Sequence, residues 1–244
     1  MIVINHRGLN NTKLLTPITY HGGSSFDTKA ALAYIQKKYP GQLLYGISFS
    51  LGSNILGRYL GEEGENSVLS GAVCVCCPFN SFEASINSEK IYFGLVSRYL
   101  AWNSKNKLLM HDYILPHLKD VHGIEHETIK NCKKFREFDD KITARMFGYT
   151  GVLDYYNKCC TVPVLKNFKT KTLFISSQDD PFFGPDVIPY DEFKKNDNIF
   201  LMATSGGGHV GFYDSIFSKE QWHNKPALKF LDYLNTLDRY FVKA

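Results

Sequence analysis

Two serines, two aspartates and a histidine stand in turn-like settings along this chain. Ser48 and Ser50 lie in GISFSLGSN (Gly46–Asn54), Asp179 and Asp180 in SSQDDP (Ser176–Pro181), and His209 in SGGGHVGF (Ser205–Phe212). A serine hydroxyl is a weak nucleophile until a base takes its proton, and an imidazole base needs a carboxylate to orient it. The chain order serine, acid, histidine matches a nucleophile carried on a sharp strand-to-helix turn. Two overlapping versions of that turn compete. Gly46-Ile47-Ser48-Phe49-Ser50 lacks the closing glycine, and Ser48-Phe49-Ser50-Leu51-Gly52 lacks the opening one. With Ser50 as nucleophile, the strand ends at Ser48 and a helix runs on through Asn54. With Ser48, a glycine falls in the helix's first turn. Ser50 is therefore preferred, flanked by the small residues Ser48 and Gly52 where strand and helix approach.

The carboxylate is read as Asp180, three positions past Ser177, with Asp179 as the alternative. His209 follows Gly206, Gly207 and Gly208, an uncluttered loop in which an imidazole can reach a serine. His6, His21, His111, His117, His122, His126 and His223 lack that setting and read as surface or packing residues. Asp139 and Asp140 in REFDD read as structural, pairing with Arg136 or Arg145. They have no histidine or further carboxylate at ligand spacing, so no metal site is expected, and no cofactor is expected either.

These residues need elements to position them. The chain has 244 residues, 44% hydrophobic and 21% charged, a composition that packs a core and argues against disorder. Lys+Arg minus Asp+Glu is 28 − 24 = +4, scattered and without a nucleic-acid footprint. The longest nearly uncharged apolar stretch, Val68 to Phe79, is shorter than the ~20 residues that span a bilayer. Six cysteines include two adjacent pairs, do not look like a disulfide framework, and read as buried thiols of an intracellular reducing compartment. The opening MIVIN reads as a strand rather than a leader.

Strands are expected at Ile2–Asn5, Leu43–Ile47, Gly71–Cys77, Thr172–Ser176 and Asn198–Ala203, as near-continuous apolar runs of a parallel sheet buried on both faces. Helices are expected from Asp27, as N-cap, to Lys38, from Asn54 to Leu60, and from Pro226 to Phe241 with Leu228, Leu231, Leu234 and Leu237 spaced by three. Asn80 to Phe168 reads as a helical excursion between two strands and as a lid. Its aromatics Tyr92, Phe93, Trp102 and Phe147 read as core or as acyl-site contacts. The whole is a single doubly wound α/β domain, with core segments 1–79 and 169–244 and a lid at about 80–168.

Several segments carry a family likeness: NHRG (Asn5–Gly8), LLTPITY (Leu14–Tyr20), SFSLGSNILGRYLGEEGE (Ser48–Glu65), REFDDKITARMFGY (Arg136–Tyr149), DYYNKCC (Asp154–Cys160), SQDDPF (Ser177–Phe182) and GGHVGF (Gly207–Phe212). In these the chain resembles the type-4 subfamily of α/β-hydrolases, the YheT-like and medium-chain-ester-hydrolase group. The resemblance implies the α/β-hydrolase fold, with the nucleophile on Ser50, the acid on the Asp179–Asp180 pair, the base on His209 and an oxyanion donor at the Leu51 N–H. It implies a small-molecule acyl ester or lipid substrate, of short to medium chain length, cleaved through an acyl-enzyme. Some members are phospholipases, monoacylglycerol lipases or alcohol acyltransferases. No nucleic acid and no obligate protein partner is expected, and contact with a membrane surface, through an upstream segment, is left open.

The family sheet has eight strands, and this chain is expected to begin at the fourth, as an amino-terminally truncated version of the fold. It would then lack the third strand and the loop carrying the second oxyanion donor. One lost donor costs about 2.7–4 kcal/mol of transition-state stabilisation, so a catalytically impaired acyl- or lipid-binding protein is the competing reading. Ile2–Asn5 would have to pair directly with Leu43–Ile47. His21-Gly22-Gly23 mimics an oxyanion signature but follows the wrong strand, and reads as a flexible loop.

Overall fold

The computed structural model describes residues 1–241. The chain forms two compact units. Met1–His21 with Asn80–Cys159 makes one, and Gly22–Phe79 with the chain from Cys160 onward makes the other.

The second unit is built on a parallel sheet of four described strands, β1 (Tyr45–Phe49), β2 (Gly71–Val75), β3 (Thr172–Ser177) and β4 (Ile199–Thr204), in the order β1-β2-β3-β4. Val75 stands opposite Phe49 on one side and Ile175 on the other. Side chains alternate between faces along each strand. Val73, Val75, Leu173 and Ile175 pack with Ala227 and Leu231 of the carboxyl-terminal helix, Asn224–Phe241. Cys74, on the opposite face, lies against helix α2 (Leu51–Glu63), its thiol 3.8 Å from the Ser53 carbonyl oxygen. Helices therefore cover both faces, the doubly wound arrangement.

Only β2 and β3 are buried throughout. β1 and β4 alternate with solvent because they form the sheet's edges. β1 runs two residues beyond its expected end, since pairing with β2 continues to Phe49. β2 stops short of Cys77 because Cys76 turns to a left-handed φ of 50°. Helix α1 spans Phe26–Lys38, and its N-cap is Ser25 rather than Asp27, which sits in the first turn. On the carboxyl-terminal helix Leu231 and Leu234 are buried but Leu228 is exposed. A spacing of three falls short of the 3.6-residue turn, so the leucine row walks off the buried face.

Ile2–Asn5 is not a strand. β1 pairs with β2 alone, and Ile2 and Val3 are exposed. The amino-terminal segment is instead held inside the helical unit. His111 Nε2 lies 3.1 Å from the Gly8 carbonyl oxygen. The Tyr113 hydroxyl accepts the Leu14 N–H at 2.9 Å and donates to the Leu14 carbonyl at 3.1 Å. Leu14 thereby enters an apolar cluster with Leu108, Leu118, Ile124, Ile129, Phe138 and Ile142. The unit's helices include α3 (Ser81–Lys90) and α4 (Leu95–Leu109). Asp139 opens a π-helical turn, Asp139–Thr143. Its carboxylate accepts from the Thr143 and Tyr156 hydroxyls, each at 2.8 Å, and Asp140 caps the Val152 N–H at 2.9 Å. Neither aspartate makes the expected arginine pair; Arg136 binds Glu89 instead.

Candidate active site

Ser50 sits where β1 ends and α2 begins, with φ 49° and ψ −123°. That conformation is costly for a residue with a Cβ. It is held from both sides: the Ser50 N–H donates to the Val75 carbonyl at 2.9 Å, and its own carbonyl accepts the Ser53 N–H at 2.8 Å. The turn thrusts the side chain out beyond the sheet. Ser48 faces the other way, its hydroxyl within 3.3 Å of the Val73 carbonyl oxygen and the Ser53 hydroxyl. Of the two serines, only Ser50 reaches the imidazole.

Ser50 Oγ lies 2.8 Å from His209 Nε2, and His209 Nδ1 lies 2.8 Å from Asp180 Oδ2. Asp180 is almost fully buried, and its other oxygen accepts the Phe182 and Phe183 N–H groups at 2.8 and 3.2 Å. The rings of Phe182 and Phe183 lie against the imidazole, with centroids 4.7 and 5.5 Å away. The segment after Asp180 thus fixes the carboxylate through its backbone and walls the imidazole with its side chains. The structure brings the expected serine, histidine and second aspartate into one hydrogen-bonded row.

Asp179, the alternative acid, does something else. Its Oδ1 accepts the Gly208 N–H at 2.7 Å and a hydrogen bond from the Ser177 hydroxyl. The Ser177 hydroxyl, followed by the glycine-loop N–H groups, holds its carboxyl below the usual carboxylate range. The glycine loop, uncluttered by side chains, is tied down here. It also needs its glycine at one point: a Cβ on Gly207, φ 156°, would lie 2.6 Å from the Phe212 ring.

The sequence pattern assigns Cys76 no place in this site, yet it lies beneath the loop. Its sulfur accepts the Val210 N–H at 3.3 Å. Burial pushes its thiol up to about 12, so it stays protonated at neutral pH. Cys76, Asp180 and His209 offer ligand atoms within 4.8 Å of one another, a soft-metal donor set by type. Each of those residues is already engaged in a hydrogen bond, and the thiol is far from its metal-binding thiolate form. The only signal for Cys76 in the sequence is its place just past a strand that borders the serine turn.

Leu51 is the first residue of α2, so its N–H has no acceptor within the helix. His21 is no part of the site. It is buried in the helical unit against the rings of Phe147 and Tyr155, centroids 4.0 and 5.5 Å away. The neighbouring Gly22 carbonyl anchors α2 by accepting from the Asn54 amide at 2.7 Å.

A strand, a strained serine and a helix, followed by an acid and a histidine at later strand ends, define a class, and the sequence comparison agrees with it. The family described as the α/β-hydrolase fold matches residues 1–216, and the chain belongs to that family. A Saccharomyces cerevisiae protein named monoacylglycerol lipase is 31% identical over 94% of this chain and 51% of its own length. Escherichia coli YheT, named a putative esterase, is 33% identical over 86% of this chain and 61% of its own. These relatives put the chain in the YheT-like group, and it spans about half to three fifths of their length. An α/β-fold hydrolase from Bacillus anthracis superposes with a TM-score of 0.54 at 16% identity, over 95% of this chain and 80% of that one, a likeness of fold.

Proposed function

We propose that the chain carries the catalytic centre of a serine hydrolase that cleaves carboxylic esters of short- to medium-chain acyl groups or of lipids. The observation that carries this reading is the continuous row from Ser50 Oγ through His209 to Asp180, with both links at 2.8 Å. In the first half-reaction His209 Nε2 takes the Ser50 proton as Oγ attacks the acyl carbonyl. Asp180 accepts the Nδ1–H, keeps the ring in the tautomer that leaves Nε2 free, and stabilises the imidazolium. The Leu51 N–H receives the developing oxyanion. The imidazolium then protonates the departing alkoxide, leaving an ester on Ser50. In the second half-reaction His209 deprotonates a water, which attacks that ester; as the acyl–Oγ bond breaks, the imidazolium returns the proton to Ser50 Oγ and the carboxylic acid leaves.

The acyl-lipid range of the proposal rests on the name of the yeast relative. The helical unit, inserted after β2, is the proposed lid, on the ground that its connection begins beside the strand end bonded to Ser50.

A fluorophosphonate probe tests the nucleophile. Wild type is expected to take up one label, and Ser50→Ala none, while Ser48→Ala labels normally. Labelling that survives in Ser50→Ala would remove the proposal. Transfer of a p-nitrophenyl ester's acyl group to ethanol in place of water would redefine the acceptor, with the same residues in the same roles.

A further inference from the structure

The helical unit presents apolar side chains that its own core does not use. Between α3 and α4 the backbone takes three successive left-handed residues, Tyr92 (φ 47°), Phe93 (φ 57°) and Gly94 (φ 80°). Glycine adopts this conformation freely; a tyrosine and a phenylalanine do not. Phe93 is 95% exposed and Tyr92 74%. Strain of this kind is sustained only where surrounding structure imposes it, and here it turns two aromatic rings to solvent.

α4 continues the pattern. Ser97, Ala101 and Leu108 are buried, and the Ser97 hydroxyl accepts the Phe135 N–H at 3.0 Å. Leu95, Tyr99 and Trp102, spaced by four and three, lie on the opposite face and are all exposed. The rings of Tyr99 and Trp102 are 5.9 Å apart. Leu95, Tyr99 and Trp102 thus share one helix face, and the exposed Tyr92 and Phe93 immediately precede it in the chain.

The charge on α4 itself has one sign, and Glu89, just before this apolar stripe, is paired with Lys134 and Arg136. α4, LVSRYLAWNSKNKLL, carries Arg98, Lys105 and Lys107 and no acidic residue, and Lys90 stands exposed at the end of α3. Tyrosine and tryptophan beside basic residues, on a helix otherwise held by small side chains, match the interfacial region of a bilayer. There the rings sit at headgroup level and the cations meet anionic lipid. No helix among the described residues is long and apolar enough to cross a membrane, so the contact is with a surface.

We infer that the Tyr92–Trp102 stripe docks the protein on the surface of a phospholipid bilayer containing anionic lipid. This goes beyond the hydrolase reading and does not depend on Ser50, so it is measured on the Ser50→Ala chain, which leaves the lipid intact.

The experiment is co-sedimentation of the whole chain with vesicles of phosphatidylcholine, alone or mixed with phosphatidylserine. Binding to the mixed vesicles is expected, weaker on the neutral ones and weakened by salt. The double variant Phe93→Ser/Trp102→Ser is expected to lose binding by at least about tenfold, given the apolar area removed from the contact. Lys90→Gln/Arg98→Gln is expected to shrink the difference between the two vesicle types. Circular dichroism confirms that these exposed substitutions leave the fold in place. With Trp222→Phe, Trp102 becomes the sole tryptophan, and its emission is expected to shift to the blue on binding. Absence of binding, equal binding to both vesicles, or binding unchanged in the Phe93→Ser/Trp102→Ser chain would each overturn the inference. So would light scattering that shows self-association abolished by the same pair, since a second copy would then be what covers the stripe.

Discussion

The Asp179 carboxylate accepts the Gly208 N–H at 2.7 Å, one residue before the imidazole that Asp180 holds at 2.8 Å. Two adjacent acids thus share the positioning of His209, the first through the backbone of its loop and the second through its ring. Asp180→Asn is expected to lower kcat by about 10³–10⁴-fold, because the amide favours the wrong tautomer. Asp179→Asn keeps the ring contact and weakens only the loop's tether, so a loss of roughly tenfold is expected. Steady-state hydrolysis of p-nitrophenyl butyrate compares the two; equal losses would show that the acids do not divide the work this way.

His223 is buried against Phe49 and Phe212, with ring centroids 5.6 and 5.2 Å away, and neither ring nitrogen has a hydrogen-bond partner. Burial lowers its pKa from the usual 6.5. The folded state thus resists protonation while the unfolded state accepts it at the ordinary value, so stability falls as pH drops below about 6.5 toward the lower folded value. His223→Leu removes that dependence and two unsatisfied atoms. It is expected to raise stability by about 1 kcal/mol at neutral pH and by more at pH 5. Urea midpoints at the two pH values measure it, and a variant less stable at both would contradict this account.

Asp139 behaves in the opposite sense. Burial raises its carboxyl to about 6, against the lowering effect of the Tyr156 and Thr143 hydroxyls. The stability gained from its protonated folded form is fully present below the unfolded value of 3.8 and is lost as pH rises through about 6. Asp139→Asn leaves a neutral group in the same space. The variant is expected to gain on the order of 2 kcal/mol over wild type at pH 8 and little at pH 4. Thermal unfolding across that range tests it, and a pH-independent difference would be inconsistent with a buried ionisation.

Close packing on α2 falls at glycines the serine turn does not include. A Cβ on Gly57 would lie 2.6 Å from the Thr161 side chain, and one on Gly61 2.5 Å from Val164 and 2.7 Å from its carbonyl oxygen. At Gly52 the nearest atom is Ser48 Cβ at 4.0 Å. Gly61→Ala is expected to cost about 1–3 kcal/mol, whereas Gly52→Ala gains roughly 0.5–1 kcal/mol from helix propensity. Denaturant unfolding of the two variants ranks them, and the reverse order would refute the packing argument.

Much of the site was legible because it is written in local patterns. The apolar runs, the serine turn between strand and helix, and the acid and histidine turns after later strands each depend on a few neighbouring residues. The turn preference for Ser50 over Ser48 follows from where a helix can begin, and α2 begins at Leu51. What was misread depends on distant partners. Ile2–Asn5 has the composition of a strand, but its segment is held by His111 and Tyr113, about a hundred positions away. Asp139 sits beside Arg136 in the sequence, yet its partners are Tyr156 and Thr143, because the π-helical turn aims it inward. Cys76 carried only the signal of its place just past a strand, and His223 carried none.

By itself, then, the order of residues determined the parallel α/β architecture, the family, and the three positions from which a serine, an acid and a histidine project. Those follow from side-chain period and turn chemistry, which act over a single turn or strand. Tertiary structure alone decided that Asp179 ties down the glycine loop, which glycines are crowded, and which aromatics of the helical unit stay in solvent. Each of those outcomes is set by atoms brought together from far apart in the chain, and a linear pattern holds no record of their distance.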